Sequence, residues 1–157
     1  MKIKLLVVGK TKESYLNEVI SEYTKRLSKF VSYSCEVIPE LKIKKSLSQE
    51  EVKKGEGQEI LKKLNREDRV ILLDEKGKLL SSVDFSTFLE KKMLEGTKNL
   101  VFIVGGAYGF SKEVYDKADF KVSLSPMTFS HQMIRLFFVE QLYRGFSILK
   151  GQPYHNV

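Results

Sequence analysis

The sequence predicts an α/β domain whose mostly parallel sheet is covered by helices on both faces. Three observations lead there. Five short strand-like runs recur along the chain, each separated from the next by a helical segment or a capping signal. Two of the runs, 69–73 (RVILL) and 100–104 (LVFIV), are almost continuously apolar rather than alternating, which marks strands buried on both sides. Finally, 157 residues with a hydrophobic fraction of 42% suffice for one core and are too few for two ordinary domains. No repeat, linker or low-complexity stretch divides the chain, so residues 1–157 are read as a single domain.

The elements follow in order. Lys2–Val8 is a first strand. Its apolar stretch is too short for a signal peptide and is closed by Gly9 and Lys10. Residues 14–30 place Tyr15, Val19, Ile20, Tyr23, Leu27 and Phe30 at spacings of three and four, an amphipathic helix. Residues 33–39 read as a second strand, and 41–48 as a basic loop carrying Lys42, Lys44 and Lys45. A polar helix over 48–64 is weakened by Gly55 and Gly57. After the strand 69–73, residues 74–78 read as a turn around Gly77. Ser81 with Asp84 three residues later signals the start of a helix over 83–94, stopped by Gly96. The strand 100–104 leads into the loop Gly105-Gly106-Ala107-Tyr108-Gly109. Ser111 caps a short helix to Ala118. A fifth strand over 120–124 precedes the loop from Ser125 to Thr128. A long helix then runs from about His131 to Leu149 and stops at Gly151, with Pro153 beyond.

Charge and composition narrow the function. The formal net charge is +7 and the pI is near 9.3. The excess lies in residues 1–70, with 16 basic and 11 acidic groups, and in 120–157, with 4 and 1. That favours an anionic partner, nucleic acid first and an acidic membrane surface second; the alternative is a lysine-rich surface that only confers solubility. The lone Cys35 excludes an internal disulfide and a cysteine zinc cage, and two histidines without an H-x-x-x-H spacing point to no metal. The longest apolar runs have strand length, so no membrane span and a cytosolic location are expected.

In parallel sheets ligands bind at the carboxyl ends of strands. Leu73-Asp74, Gly105-Gly106 and the segment 124–129 mark those ends, and neither 101–110 nor 122–134 carries a Lys, Arg, Asp or Glu. A pocket built from them offers backbone groups and small side chains, which suits a nucleoside better than a polyphosphate. There is no dinucleotide fingerprint, phosphate-binding loop or G-x-S-x-G motif, and the glycines could serve only a tight strand-to-helix turn. His131 and Arg135 share a helix face, away from the stripe of Ile134, Phe137, Phe138, Leu142, Phe146 and Leu149. They read as a solvent-facing pair, with a basic pair at the mouth of a site as the alternative. The tail Pro153-Tyr154-His155 is either docked and functional or frayed.

The stretches KIKLLVVGK, LLDEKGKLLSS, IVGGAYGFS and VSLSPMTFSHQMIRLFFVEQLYRGFSILKGQPYH resemble, end to end, the SPOUT class of methyltransferases, and within it those acting on ribosomal large-subunit pseudouridine. The resemblance implies an α/β fold with a C-terminal trefoil knot. It implies a homodimer whose knotted region supplies both the cofactor pocket and the dimer face. The implied cofactor is S-adenosyl-L-methionine, and the implied acceptor is N3 of a pseudouridine in 23S rRNA of the assembled ribosome. Position by position, it implies that Leu73, Gly105, Leu124, Ser125, Pro126, Met127, Thr128 and Phe129 bind the cofactor. Arg135, Tyr154 and His155 are the implied catalytic candidates. The rival expectation from another class is a non-catalytic, ribosome-associated RNA-binding protein.

Overall fold

A computed structural model describes residues 1–41 and 47–155. The expected basic loop lysines, Lys42, Lys44 and Lys45, lie outside the described residues. The strands are β1 (Lys2–Val8), β2 (Ser32–Ile38), β3 (Asp68–Leu79), β4 (Asn99–Val104) and β5 (Phe120–Ser123). The helices are α1 (Ser14–Leu27), α2 (Gln49–Lys62), α3 (Ser82–Leu94), α4 (Lys112–Lys117) and α5 (Met133–Leu149). The five strands form one parallel sheet in the order β2-β1-β4-β3-β5.

Alternation along the central strands divides the core. Leu5 and Val7 on β1, Ile71 and Leu73 on β3, and Phe102 and Val104 on β4 face one layer with Leu27, Phe85, Leu89, Phe138, Val139, Leu142 and Phe146. That layer is made of α1, α3 and α5. Leu6, Val8, Val70, Leu72, Val101 and Ile103 face the other layer with Ile60 and Val114 from α2 and α4. Both faces are covered, as the continuous apolar runs predict. The Phe102 ring lies 4.7 Å from Phe138 and 6.1 Å edge-on from Phe85, so β4 anchors α3 and α5 together. Gly145 lets α5 press close to α3; a Cβ there would lie 3.0 Å from the Leu89 side chain. Capping boxes start α2 (Ser48 with Glu51) and α3 (Ser81 with Asp84). Ser111 precedes α4 without a side-chain capping bond. Gly151 takes a φ of +61° just past α5, where a Cβ would be strained.

One expectation is corrected. Residues 74–78 are not a turn: β3 continues through them to Leu79. The pairing with β5 shifts register between Leu73 and Lys78. Asp74 accepts the Lys76 N–H at 2.8 Å within the irregularity. Gly77 is where the two backbones close in, since a Cβ would stand 2.6 Å from the Val122 carbonyl carbon. This half of β3 is polar because much of it is exposed, and a polar strand containing glycine has the composition of a turn.

Candidate cofactor and active site

Because all strands run parallel, their carboxyl ends share one edge of the sheet, and a cavity of about 620 Å³ opens there at β3, β4 and β5. That is the size of a small-molecule site. Leu73, Gly105, Leu124, Ser125, Met127, Thr128 and Phe129 line it; exposed Pro126 is outside the wall. The 124–129 segment is folded by its own side chains. The Ser123 hydroxyl donates to the Ser125 carbonyl (2.8 Å), the Met127 N–H donates to Ser125 Oγ (2.9 Å), and the Thr128 hydroxyl donates to Glu75 (3.1 Å). Across the cavity the 105–109 loop closes with the Gly109 N–H donating to the Gly106 carbonyl at 3.1 Å. Its glycines are needed first by the protein itself. A Cβ on Gly105 would lie 3.2 Å from the Phe110 ring, and one on Gly106 would collide with the Glu56 carboxylate. At the rim, Asp74 accepts the Tyr115 hydroxyl; burial and that carboxylate push the Tyr115 hydroxyl well above its ordinary range.

Comparison with known proteins assigns the family. The family model described as "Predicted SPOUT methyltransferase" matches residues 1–155. The chain belongs to the SPOUT methyltransferase family. It is 56% identical over 156 residues to the ribosomal RNA large subunit methyltransferase H of Flavobacterium johnsoniae, covering 99% of each chain. It is 54% identical, with the same coverage, to the protein of that name from Parabacteroides distasonis. Among solved structures, a probable methylase family protein from Haemophilus influenzae shares the fold at a TM-score of 0.51 and 12% identity, over 99% of this chain and 70% of that one.

Within this SPOUT chain, Arg135 corrects an expectation. It is 2% exposed, not solvent-facing. Its Nη2 donates to the Val8 carbonyl (2.7 Å), and its Nη1 donates to the Gly9 carbonyl (2.9 Å) and to Thr11 Oγ1 (3.0 Å). The carbonyls beyond the end of β1 have no further strand to meet, and a guanidinium fork from the first turn of α5 satisfies them. Gln132 reinforces the tie: it accepts the Lys12 N–H (3.0 Å) and donates to the Lys10 carbonyl (3.1 Å). His131, one turn before Arg135, is part of the cavity wall. Burial first, then the Arg135 charge, lowers its pKa and favours the neutral imidazole.

The tail is docked, not frayed. The Tyr154 hydroxyl donates to Glu140 Oε1 (3.0 Å) and lies 3.0 Å from the Tyr23 hydroxyl. Its ring meets Tyr143 edge-on at 4.7 Å and carries the Arg144 guanidinium at 4.6 Å. Arg144 Nη1 is 3.3 Å from His155 Nδ1. Burial, ahead of the bonds to Tyr23 and Glu140, raises the Tyr154 pKa, so its hydroxyl stays protonated. Neither Tyr154 nor His155 lines the cavity, and neither does Arg135. Ile134 does, and Arg144 is ten residues further along α5, roughly 15 Å at the helical rise.

Several residues went unread in the sequence, among them Gln49 and Tyr115 on the cavity wall and Glu56 beside it. Glu56 on α2 is 4% exposed and sits directly behind Gly106. The signal was present: a glutamate flanked by Gly55 and Gly57 inside a helix, where two glycines cost stability and need a packing reason. Both are tight. A Cβ on Gly55 would collide with Leu41, and one on Gly57 with the Ser111 hydroxyl.

Proposed function

We propose that this SPOUT family member transfers a methyl group from S-adenosyl-L-methionine to N3 of a pseudouridine in 23S rRNA of the assembled ribosome. In this reading it acts in the cytoplasm as a homodimer with a knotted C-terminal region. The observation that carries the proposal is the cavity at the carboxyl ends of β3, β4 and β5, on a chain whose match to the family runs over residues 1–155. The residues present fit such a cofactor. The 105–109 and 124–129 segments offer backbone groups and small or apolar side chains to an adenosine. Asp74 and Glu75 outnumber Lys76 at the rim, which favours a positively charged ligand over a polyphosphate. The relatives from Flavobacterium johnsoniae and Parabacteroides distasonis carry a name that specifies large-subunit ribosomal RNA, and the net charge of +7 suits an RNA partner.

When bound, the cofactor supplies a methyl group on a cationic sulfur, electrophilic without a metal. The chain must hold the acceptor in line and see its N3 proton removed. In this proposal Arg135 acts by position: its bonds to Val8, Gly9 and Thr11 fix the first turn of α5, and with it His131 and the end of the 124–130 segment. Tyr154 and His155 take the acceptor, Tyr154 by stacking or hydrogen bonding to the base and His155 by accepting the proton. Docked against Glu140 and Arg144, about 9 to 15 Å along α5 from Ile134 by the helical rise, they act in this reading on the cavity of the second subunit. Light scattering at micromolar protein is expected to give a dimer mass. The deciding measurement is mass spectrometry of rRNA nucleosides from a strain lacking this gene, with and without complementation. N3-methylated pseudouridine is expected to vanish and return; its persistence in the deletion strain rejects the proposal.

A further inference from the structure

The structure assigns to Glu56 a binding role that deepens the proposed function and rests on it. Its carboxylate is the counter-charge behind the glycine loop for a cationic nucleoside ligand, and it separates the sulfonium cofactor from the uncharged thioether left after transfer.

Three observations converge. First, Glu56 is 96% removed from solvent (4% exposed), yet its Oε2 has no hydrogen-bond partner among the described residues. Its neighbours in charge at the site are engaged: Asp74 by the Tyr115 hydroxyl and the Lys76 N–H, Glu75 by the Thr128 hydroxyl. A carboxylate buried without a partner is costly, and such groups concentrate where a ligand completes them.

Second, a cavity-lining glycine packs directly against this carboxylate, which does not itself line the cavity. Gly106 lines the cavity wall, and the position its Cβ would take is within 3.0 Å of both Glu56 carboxyl oxygens. Any side chain at 106 would displace the carboxylate. Behind it, Gly57 brings α2 against Ser111, whose hydroxyl also lacks a partner among the described residues. The close approach of α2 to the loop thus depends on glycine from both sides.

Third, burial and the nearby Glu40 both push the Glu56 carboxyl upward. Without a cation at hand the charge is unfavourable, and a positive ligand restores it. The ligand's sulfur is positive before methyl transfer and neutral after it. A fixed negative charge near the site therefore holds the donor and releases the product, while their shared adenosine and amino-acid groups contribute equally to both.

The test is calorimetry on the full chain at pH 8 with S-adenosylmethionine and S-adenosylhomocysteine as the two probes. Wild type is expected to bind the sulfonium about tenfold tighter than the thioether, the scale of one charge pair roughly 12 Å apart at an effective dielectric of about 20. Glu56→Gln is expected to bring the two affinities within about twofold by weakening the sulfonium alone. Glu56→Asp, which keeps the charge, retains most of the preference. Equal weakening of both ligands in Glu56→Gln makes Glu56 a prop under the loop and overturns the inference, as does an unchanged ratio. If Glu56→Gln does not fold, the wild-type ratio decides: thioether binding equal to or tighter than sulfonium binding overturns it. Wild-type silence toward both probes removes the cofactor reading itself, and this inference with it.

Discussion

The two ends of α5 are held in opposite ways. At the amino end, one buried guanidinium grips backbone: Arg135 donates to the carbonyls of Val8 and Gly9 and to Thr11 Oγ1. At the carboxyl end, partly buried side chains hold one another: Tyr154, Glu140, Arg144 and Tyr23 form a network around the tail. A bond to a carbonyl at the end of a core strand cannot be renegotiated without moving the sheet. A network of side chains near water can exchange partners at little cost. The first end fixes the cavity wall; in the proposed function the second holds the segment that meets the acceptor.

Breaking the rigid end has the largest expected effect. Arg135→Ala leaves two backbone carbonyls and a hydroxyl short of charged donors, with an expected cost of about 3 kcal/mol. Thermal melting should drop by several degrees, and cofactor affinity should fall with it, because His131 just before α5 and Ile134 in its first turn line the cavity. Arg135→Lys should recover only part of the loss, since an ammonium cannot span the acceptors as the fork does. A melting point within one degree of wild type for Arg135→Ala would free Arg135 for a direct catalytic role.

Removing residues 153–157 breaks the other end. Fold and cofactor affinity should be nearly unchanged, while methyl transfer to ribosomes should fall by about a hundredfold, the scale of losing a positioned acid–base group. Loss of cofactor binding in the truncated protein would make the tail a structural strap. Tyr23→Phe sharpens the same point more gently. It removes one of the two hydroxyl partners of Tyr154 and should cost about 1 kcal/mol or less in stability. Its effect on turnover should exceed its effect on melting if the docked tail is a reservoir for the active conformation.

The contrast also marks what the chain could reveal as a string. The parallel sheet was legible because runs such as 100–104 are apolar on both faces, and α3 because Ser81 and Asp84 announce its start. The lower half of β3 was hidden because its exposed residues have the composition of a turn; only the closeness of Val122, 45 positions on from Gly77, explains that glycine. Part of the cavity wall was readable from motif, since 105–109 and 124–129 are contiguous segments at strand ends. Arg135 was misplaced because a helical wheel shows which face is apolar, not that free carbonyls wait at Val8, 127 residues away. The tail's partner Tyr23 is 131 residues distant and equally invisible to local pattern.

The smallest effect is a pH dependence at the rigid end. The His131 pKa is lowered, by burial first and then by the positive charges of Arg135 and Lys12, against an opposing pull from Glu40. In the unfolded chain the imidazole takes up a proton near its ordinary value of about 6.5; in the folded chain it does so only at lower pH. Between those two values the unfolded state binds more protons, so stability rises with pH through that window and is lost as pH falls through it. His131→Gln keeps a polar side chain at the cavity wall and removes this titration. The difference in melting temperature between wild type and His131→Gln should therefore shift against wild type between pH 7 and pH 5, by about 1 °C. A difference that is flat across this range would mean that the imidazole titrates as freely folded as unfolded. The cavity wall at α5 would then be wetter, and less fixed by Arg135, than its hydrogen bonds imply.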